Sequence, residues 1–125
     1  MMNLSTITSL ETNSLKITRK QWLDAYYAGD HQQLCNLETA DFLVQENGQI
    51  NLQNQRYRQI ENRVKSGQWQ PTKMAEKELL FNKINDTAYQ VTGVAYSNTL
   101  RLRFEENWLF EKEQWRIASL MMTTI

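Results

Sequence analysis

The feature that most constrains this 125-residue chain is a change of hydrophobic period at Pro71, its single proline. Ahead of Pro71 the apolar residues recur at helical spacing, and behind it they alternate with polar ones. The chain reads broadly as helices first and long strands after. This order predicts an α+β fold with helices laid on one face of a largely antiparallel sheet.

The helical half is read from its punctuation. Thr18 followed by Gln21 has the capping-box pattern, and Trp22, Leu23, Tyr26 and Tyr27 then fall on one helical face. Gly29 supplies a left-handed terminator, and Asp30 can cap a second short helix carrying Leu34 and Leu37. Residues 40–45 read as a strand, and Asn47-Gly48 turns it into a hairpin with residues 49–52. A third helix over 53–66 places Tyr57, Ile60 and Val64 at helical spacing, with Gly67 just past its end. Residues 1–15 are polar, with apolar Leu4, Ile7, Leu10 and Leu15, and are compatible with either a helix or a loose arm. The expected organisation is therefore an N-terminal arm or short helix over 1–17 and one domain over 18–125.

Past Pro71 the alternation predicts strands at 73–84, 88–96, 99–110 and 115–123. At about 3.3 Å per residue the longest would span roughly 30–40 Å, and a sheet of that length must twist and curl. Gly93, in mid-strand, is expected to mark a bulge or bend. The predicted architecture is a cone-shaped, curled antiparallel sheet with three helices from the N-terminal half on its concave face.

Composition narrows the function. Fourteen Lys and Arg balance fourteen Asp and Glu, so the chain lacks the cationic excess of a nucleic-acid binder or a polybasic membrane anchor. The single Cys cannot form an internal disulfide, and the N-terminus lacks the pattern of a secretory signal. A cytoplasmic protein is expected. Neither a phosphate-binding Gly-rich loop nor a His/Cys cluster at metal spacing is present, so no cofactor and no metal are expected. The neutral total hides a segregated distribution. Residues 21–55 carry five acids and no Lys or Arg, while residues 56–104 carry nine basic and four acidic groups. These halves are expected to pack against one another or against a partner subunit.

The order of elements resembles the nuclear transport factor 2-like superfamily (SnoaL-like, ketosteroid isomerase-like), with its cystatin-like α+β cone. The residues that carry the resemblance are Trp22-Leu23-Asp24-Ala25-Tyr26-Tyr27-Ala28-Gly29-Asp30 and Leu34, Leu37 and Asp41-Phe42. Phe104-Glu105-Glu106-Asn107-Trp108 and Trp115-Arg116-Ile117-Ala118-Ser119-Leu120 complete it. It covers nearly all of residues 18–125 and is nearest to small stand-alone bacterial members of unassigned function. The resemblance implies a pocket inside the cone and a homodimer formed through the sheet. It implies no particular reaction, because the fold hosts enzymes, binding modules and scaffolds.

Strand parity points to one candidate group independently of family. Leu100, Leu102, Phe104, Glu106, Trp108 and Phe110 share a strand face, so if that face is buried, a carboxylate is buried with it. A carboxylate in an apolar site either finds a cation or has its pKa raised, as general acid/base work requires. Phe42, Val44 and Glu46 share a face in the same way. The resemblance sharpens both. Glu46 falls where ketosteroid isomerases carry their catalytic base, and Glu106 where they carry the protonated acid of the oxyanion hole. Trp22 stands where those enzymes have the tyrosine that completes the hole, with Tyr26 and Tyr57 as possible replacement donors. The competing expectations are that Glu106 pairs with an Arg and that Glu46, beside a tight turn, is solvated.

Other candidates are weaker. His31 at a helix start is expected to be a solvated imidazole, and Cys35 a small buried hydrophobe. Arg101 and Arg103, alternating with Glu105, mark a solvated or dimer-rim face, and Met121 and Met122 are expected to pack the cone. Three functions follow. The favoured one is a binder of a small apolar or aromatic molecule, lined by Trp22, Tyr26, Phe42, Tyr57, Phe104 and Trp108. The alternative is an isomerase, dehydratase or cyclase using Glu46 and Glu106. The third is a purely structural dimer whose cone is plugged by its own side chains, and cavity volume separates it from the other two.

Overall fold

The computed structural model describes residues 4–125, with side chains described from residue 12 onward. Among the described residues three helices and a six-stranded sheet follow in the order α1 (Leu4–Ala28), α2 (His31–Leu37), β1 (Glu38–Glu46), β2 (Gln49–Leu52), α3 (Gln53–Lys65), β3 (Ala75–Asn85), β4 (Ala88–Tyr96), β5 (Arg101–Glu111) and β6 (Gln114–Thr124). The spatial order is β2-β1-β6-β5-β4-β3. Every pairing is antiparallel except β1 with β6, where the chain returns beside its first strand.

The main departure from the sequence reading is at the N-terminus. α1 is one 25-residue helix that runs without a break through residue 17. Thr18 does not cap it; its hydroxyl donates to the Ser14 carbonyl at 3.2 Å, the back-bonding that a mid-helix threonine adopts. Leu15 is fully buried, whereas Leu4, Ile7 and Leu10 lie outside the residues whose side chains are described.

The end of α1 follows the expected chemistry. Gly29 N–H donates to the Tyr26 carbonyl at 3.0 Å and Asp30 N–H to the Ala25 carbonyl at 2.9 Å, a Schellman closure with Gly29 at φ +72°. The Trp69 indole N–H donates to the same Tyr26 carbonyl at 3.0 Å, tying the segment before β3 to this corner. The Asp30 side chain then accepts from Gln33 N–H and starts α2.

Gly93 makes no bulge: it pairs in register with Phe104. A Cβ there would stand 2.8 Å from Phe104 Cζ, so the bare backbone gives the Phe104 ring its place across β4. The irregularities lie elsewhere, between Lys77 and Leu80, Lys83 and Asn85, Asn107 and Trp108, and Glu38 and Leu43. They supply the curl that lets one face wrap the helices. The core between that face and the helices includes Leu15, Trp22, Leu34, Phe42, Ile60, Val91, Phe104, Trp108 and Ile117. Met122 packs on this core, but Met121 points out of the opposite face and is 41% exposed, against the expectation that both methionines fill the cone.

Gly29 provides the test of the helix corner. Alanine there meets a left-handed φ and places its Cβ 2.6 Å from Val64 Cγ2 and 2.8 Å from Trp69 Cδ1. Overpacking of this kind costs about 1–3 kcal/mol. Gly29→Ala is expected to lower the urea midpoint accordingly with an unchanged m-value, whereas Gly48→Ala, with open space around its Cβ, meets only the φ penalty.

Candidate functional site

Two carboxylates are buried in the cone, and each is engaged by several donors. Glu106, on β5, is 2% exposed. Its cross-strand row reads Val44, Leu120, Glu106, Val91 and Phe81, confirming that it lies on the core face as strand parity predicts. Its partner is Arg19 of α1, which is 5% exposed. Arg19 Nε–H donates to Glu106 Oε1 and Nη2–H to Oε2, both at 2.8 Å. The other edge of the same guanidinium grips Glu76 of β3, with Nη1–H donating to Oε1 at 2.9 Å and Nη2–H to Oε2. The Trp108 indole N–H donates to Glu106 Oε1 at 2.8 Å, and the guanidinium lies 5.4 Å from the centre of the Phe104 ring.

The electrostatics follow from this arrangement. Burial alone would lower the Arg19 pKa, but Glu76 and Glu106 overcome that and hold the guanidinium firmly charged. Burial raises the Glu106 carboxyl above the ordinary range, while Arg19 and the Trp108 N–H pull it back. The expectation that Glu106 pairs with an arginine is the one the structure supports. Both its oxygens are already accepting hydrogen bonds, which leaves no ready position for a substrate oxygen.

The second carboxylate is Glu38, at the first position of β1 and 3% exposed. Trp22 Nε1–H donates to its Oε2 at 2.9 Å, and Tyr57 O–H to its Oε1 at 2.6 Å. Gln53 Nε2–H reaches Oε1 at 3.3 Å, and Arg56 Nη1 stands 3.6 Å from Oε2. Burial and then Glu38 push the Tyr57 hydroxyl above its ordinary pKa, so it stays a donor. Arg56 lies over the Phe42 ring at 5.1 Å, and its Nη1 is buried without a hydrogen-bond partner. Arg56 to Glu38 is also the contact through which the basic and acidic halves of the sequence meet.

The two carboxylate centres are joined by their indoles. Trp22 and Trp108 pack edge to face at 5.9 Å, and Trp22 packs likewise on Phe42 at 6.4 Å. Of the six residues expected to line a ligand pocket, Trp22, Phe42, Phe104 and Trp108 are buried in this core, while Tyr26 and Tyr57 are half-buried at its edge. Tyr26 contacts Tyr27 and Trp69 edge-on, and burial raises its pKa.

Glu46 does not join them. It lies on the same sheet face as Glu106, in the next row with Met122 and Phe104, but it is exposed at the end of β1 beside the Asn47-Gly48 turn. Two strand steps of about 4.8 Å separate the rows' β1 and β5 positions. Cys35 is exposed, not the buried hydrophobe expected, because α2 turns Leu34 and Leu37 inward instead. His31 is half-buried, with its ring 6.0 Å from that of Tyr57. Among the described residues no group of three or more His, Cys, Asp or Glu is placed to hold a metal.

Sequence reasoning missed Arg19, Glu76 and Glu38. Arg19 was legible: Leu15, Arg19, Trp22 and Tyr26 follow the spacing of one helical face once the helix is extended backwards. Glu38 shares parity with Phe42 and Val44 and lies two residues ahead of the expected strand start.

Two concavities stand out, and both are on the outside. One of about 380 Å³ lies on the convex side of the sheet and is lined by Leu80, Thr92, Arg103, Glu105 and Met121, among others. The other, about 300 Å³, lies between α2 and α3 beside His31, Glu61 and Val64.

No protein-family model and no curated protein matches the chain. Solved structures do match it closely in shape. An NTF2-like protein from Cytophaga hutchinsonii superposes with a TM-score of 0.75 at 15% identity, covering 99% of this chain and 100% of the other. A cystatin-like fold protein of unknown function from Nostoc punctiforme gives 0.70 at 6% identity, covering 93% and 92%. A putative Ca/calmodulin-dependent kinase II association domain from Exiguobacterium sibiricum gives 0.75 at 14%, covering 92% and 93%. The chain therefore has the nuclear transport factor 2-like, cystatin-like α+β fold that the resemblance implies. Among the described residues no helix is long and apolar enough to cross a membrane.

Removing Arg19 tests the electrostatic reading. Arg19→Met leaves Glu106 buried without its cation, a change that costs about 3–5 kcal/mol. Burial then holds the Glu106 pKa above its unfolded value of about 4.3. A carboxyl raised in the folded state favours folding when protonated, and that contribution is lost as pH rises through the folded value. The stability deficit of Arg19→Met relative to the parent is thus expected to be larger at about pH 8 than at about pH 5 in urea titrations. A deficit independent of pH would refute the assignment.

Proposed function

We propose that this chain is a non-catalytic assembly module, pairing with a second copy through the convex face of its sheet. The observation that carries this reading is the contrast between the two faces. The inner face is closed by interlocking aromatics and two fully engaged carboxylates. The outer face exposes Ile50, Leu80 and Met121, which share one row across the sheet with Gln45, Glu105 and Thr92. On β5 the same face presents Arg101 and Arg103 beside Glu105, a charge pattern that is self-complementary across a two-fold axis. The Exiguobacterium neighbour is described as an association domain, which agrees with a role in assembly.

A second reading keeps the small apolar or aromatic ligand, with the half-buried Tyr26 and Tyr57 at the edge of the core. The observation favouring it is the buried, unpartnered Nη1 of Arg56 between Phe42 and Glu38. Acid/base catalysis by Glu46 and Glu106 has less support, since one carboxylate is solvated and the other is held by Arg19.

Light scattering after size exclusion separates the readings. The parent is expected to elute at twice the chain mass, and Leu80→Glu with Met121→Glu at the monomer mass with unchanged far-UV circular dichroism. A parent that stays monomeric at about 100 μM, well above the Kd range of specific pairs, overturns the assembly reading. Saturable binding of anilinonaphthalene sulfonate by the native parent, lost in Arg56→Met, would instead favour the ligand reading.

A further inference from the structure

The geometry points to a guanidinium-binding site inside the cone, which the chain fills with its own Arg19. This goes beyond assembly and does not depend on it. The site is assembled from elements distant in sequence: Glu76 on β3, and Phe104, Glu106 and Trp108 on β5. Its shape is that of a planar fork with two edges. One edge, Nε and Nη2, meets both oxygens of Glu106; the other, Nη1 and Nη2, meets both oxygens of Glu76. The Phe104 ring lies 5.4 Å from the guanidinium carbon, and Gly93 leaves that ring its room. The Trp108 N–H takes a further position on Glu106 Oε1 and orients that carboxylate.

Three features select a guanidinium over other cations. Four of its five N–H groups are used on two carboxylates, which an ammonium with three divergent donors cannot reproduce. The π-face contact favours a flat, weakly hydrated cation. Glu106 is buried behind apolar neighbours, so a hydrated metal or ammonium ion would enter with a large desolvation cost. The ligand class is therefore an alkylguanidinium, and Arg19 is its resident example, delivered on α1 one helical turn from Trp22.

Arg19→Ala removes the resident side chain and leaves Glu76, Glu106, Trp108 and Phe104 in place. Ethylguanidinium at millimolar concentration, below any denaturing range, is expected to raise the Tm of Arg19→Ala saturably and to change its tryptophan emission through Trp108. Ethylammonium should require at least about tenfold more, the difference expected for one lost charge-assisted hydrogen bond. The parent, already filled, should show neither response, and Arg19→Ala/Glu106→Gln should lose selectivity for ethylguanidinium. If Arg19→Ala does not fold alone, recovery of native circular dichroism on refolding with ethylguanidinium but not with ethylammonium is the readout. The proposal is overturned by equal response to the two cations, by no response in either assay, or by selectivity that survives Glu106→Gln.

Discussion

One guanidinium, that of Arg19, sets where the first helix lies on the sheet. Arg19 enters from α1 and bridges β3 to β5, strands that are not neighbours, so it fixes the helix against the curl of the sheet. A buried charge is tolerated only where its hydrogen bonds are complete, and two carboxylates flanking one fork complete them. The cluster carries a formal excess of one negative charge. Burial is the main reason that Glu106 stays raised despite its cation, with the Glu76 charge adding to it, and Glu76 is the more exposed partner. The net effect is an interaction that is demanding in geometry. It specifies the position of α1 more than it adds stability over a well-packed apolar core.

The same logic repeats at Glu38, where neutral donors do most of the work. An indole, a phenol and a carboxamide surround this carboxylate, and Arg56 approaches without forming a full hydrogen bond. Trp22 and Trp108 each combine a large apolar surface with one N–H, so they fill the cone and satisfy its two acids at once. A cone built this way keeps two ionisable groups in an apolar interior, each held by donors from several elements. Trp22 and Trp108, placed by resemblance as pocket lining, each donate their indole N–H to a buried carboxylate.

How legible this was depended on element boundaries. Periodicity gave the order of helices and strands, most clearly in β4 and β5 where burial alternates residue by residue, and parity alone put Glu106 on the buried face. The carboxylate's partner was missed because a local capping pattern at Thr18 competed with a longer helical face. Leu15, Arg19 and Trp22 lie on that face, and an arginine within an apolar stripe is the signature of a buried ion pair. Glu76 could not be anticipated: its facing depends on the irregularity between Lys77 and Leu80, which no periodic rule predicts. Glu38 was obscured in the same way, since the irregularity between Glu38 and Leu43 buries Thr39 and exposes Ala40, breaking the alternation. Glu46 shows the converse limit. Parity gave its face correctly, but a residue at a strand end beside a two-residue turn is reached by water whichever face it shares.

What the interior commits to folding, the exterior is free to use. In a cone with an open pocket, the inner face must balance packing against ligand access, and the acids there can be tuned for proton transfer. Here a cation from the chain itself occupies the acidic site, and the core packs around it. Exposed apolar residues and charges coexist on the opposite face, where Leu80 and Met121 share a row with Glu105. The balance of fourteen bases and fourteen acids, uninformative as a sum, is segregated along the chain, and the Arg56–Glu38 pair joins its basic and acidic stretches.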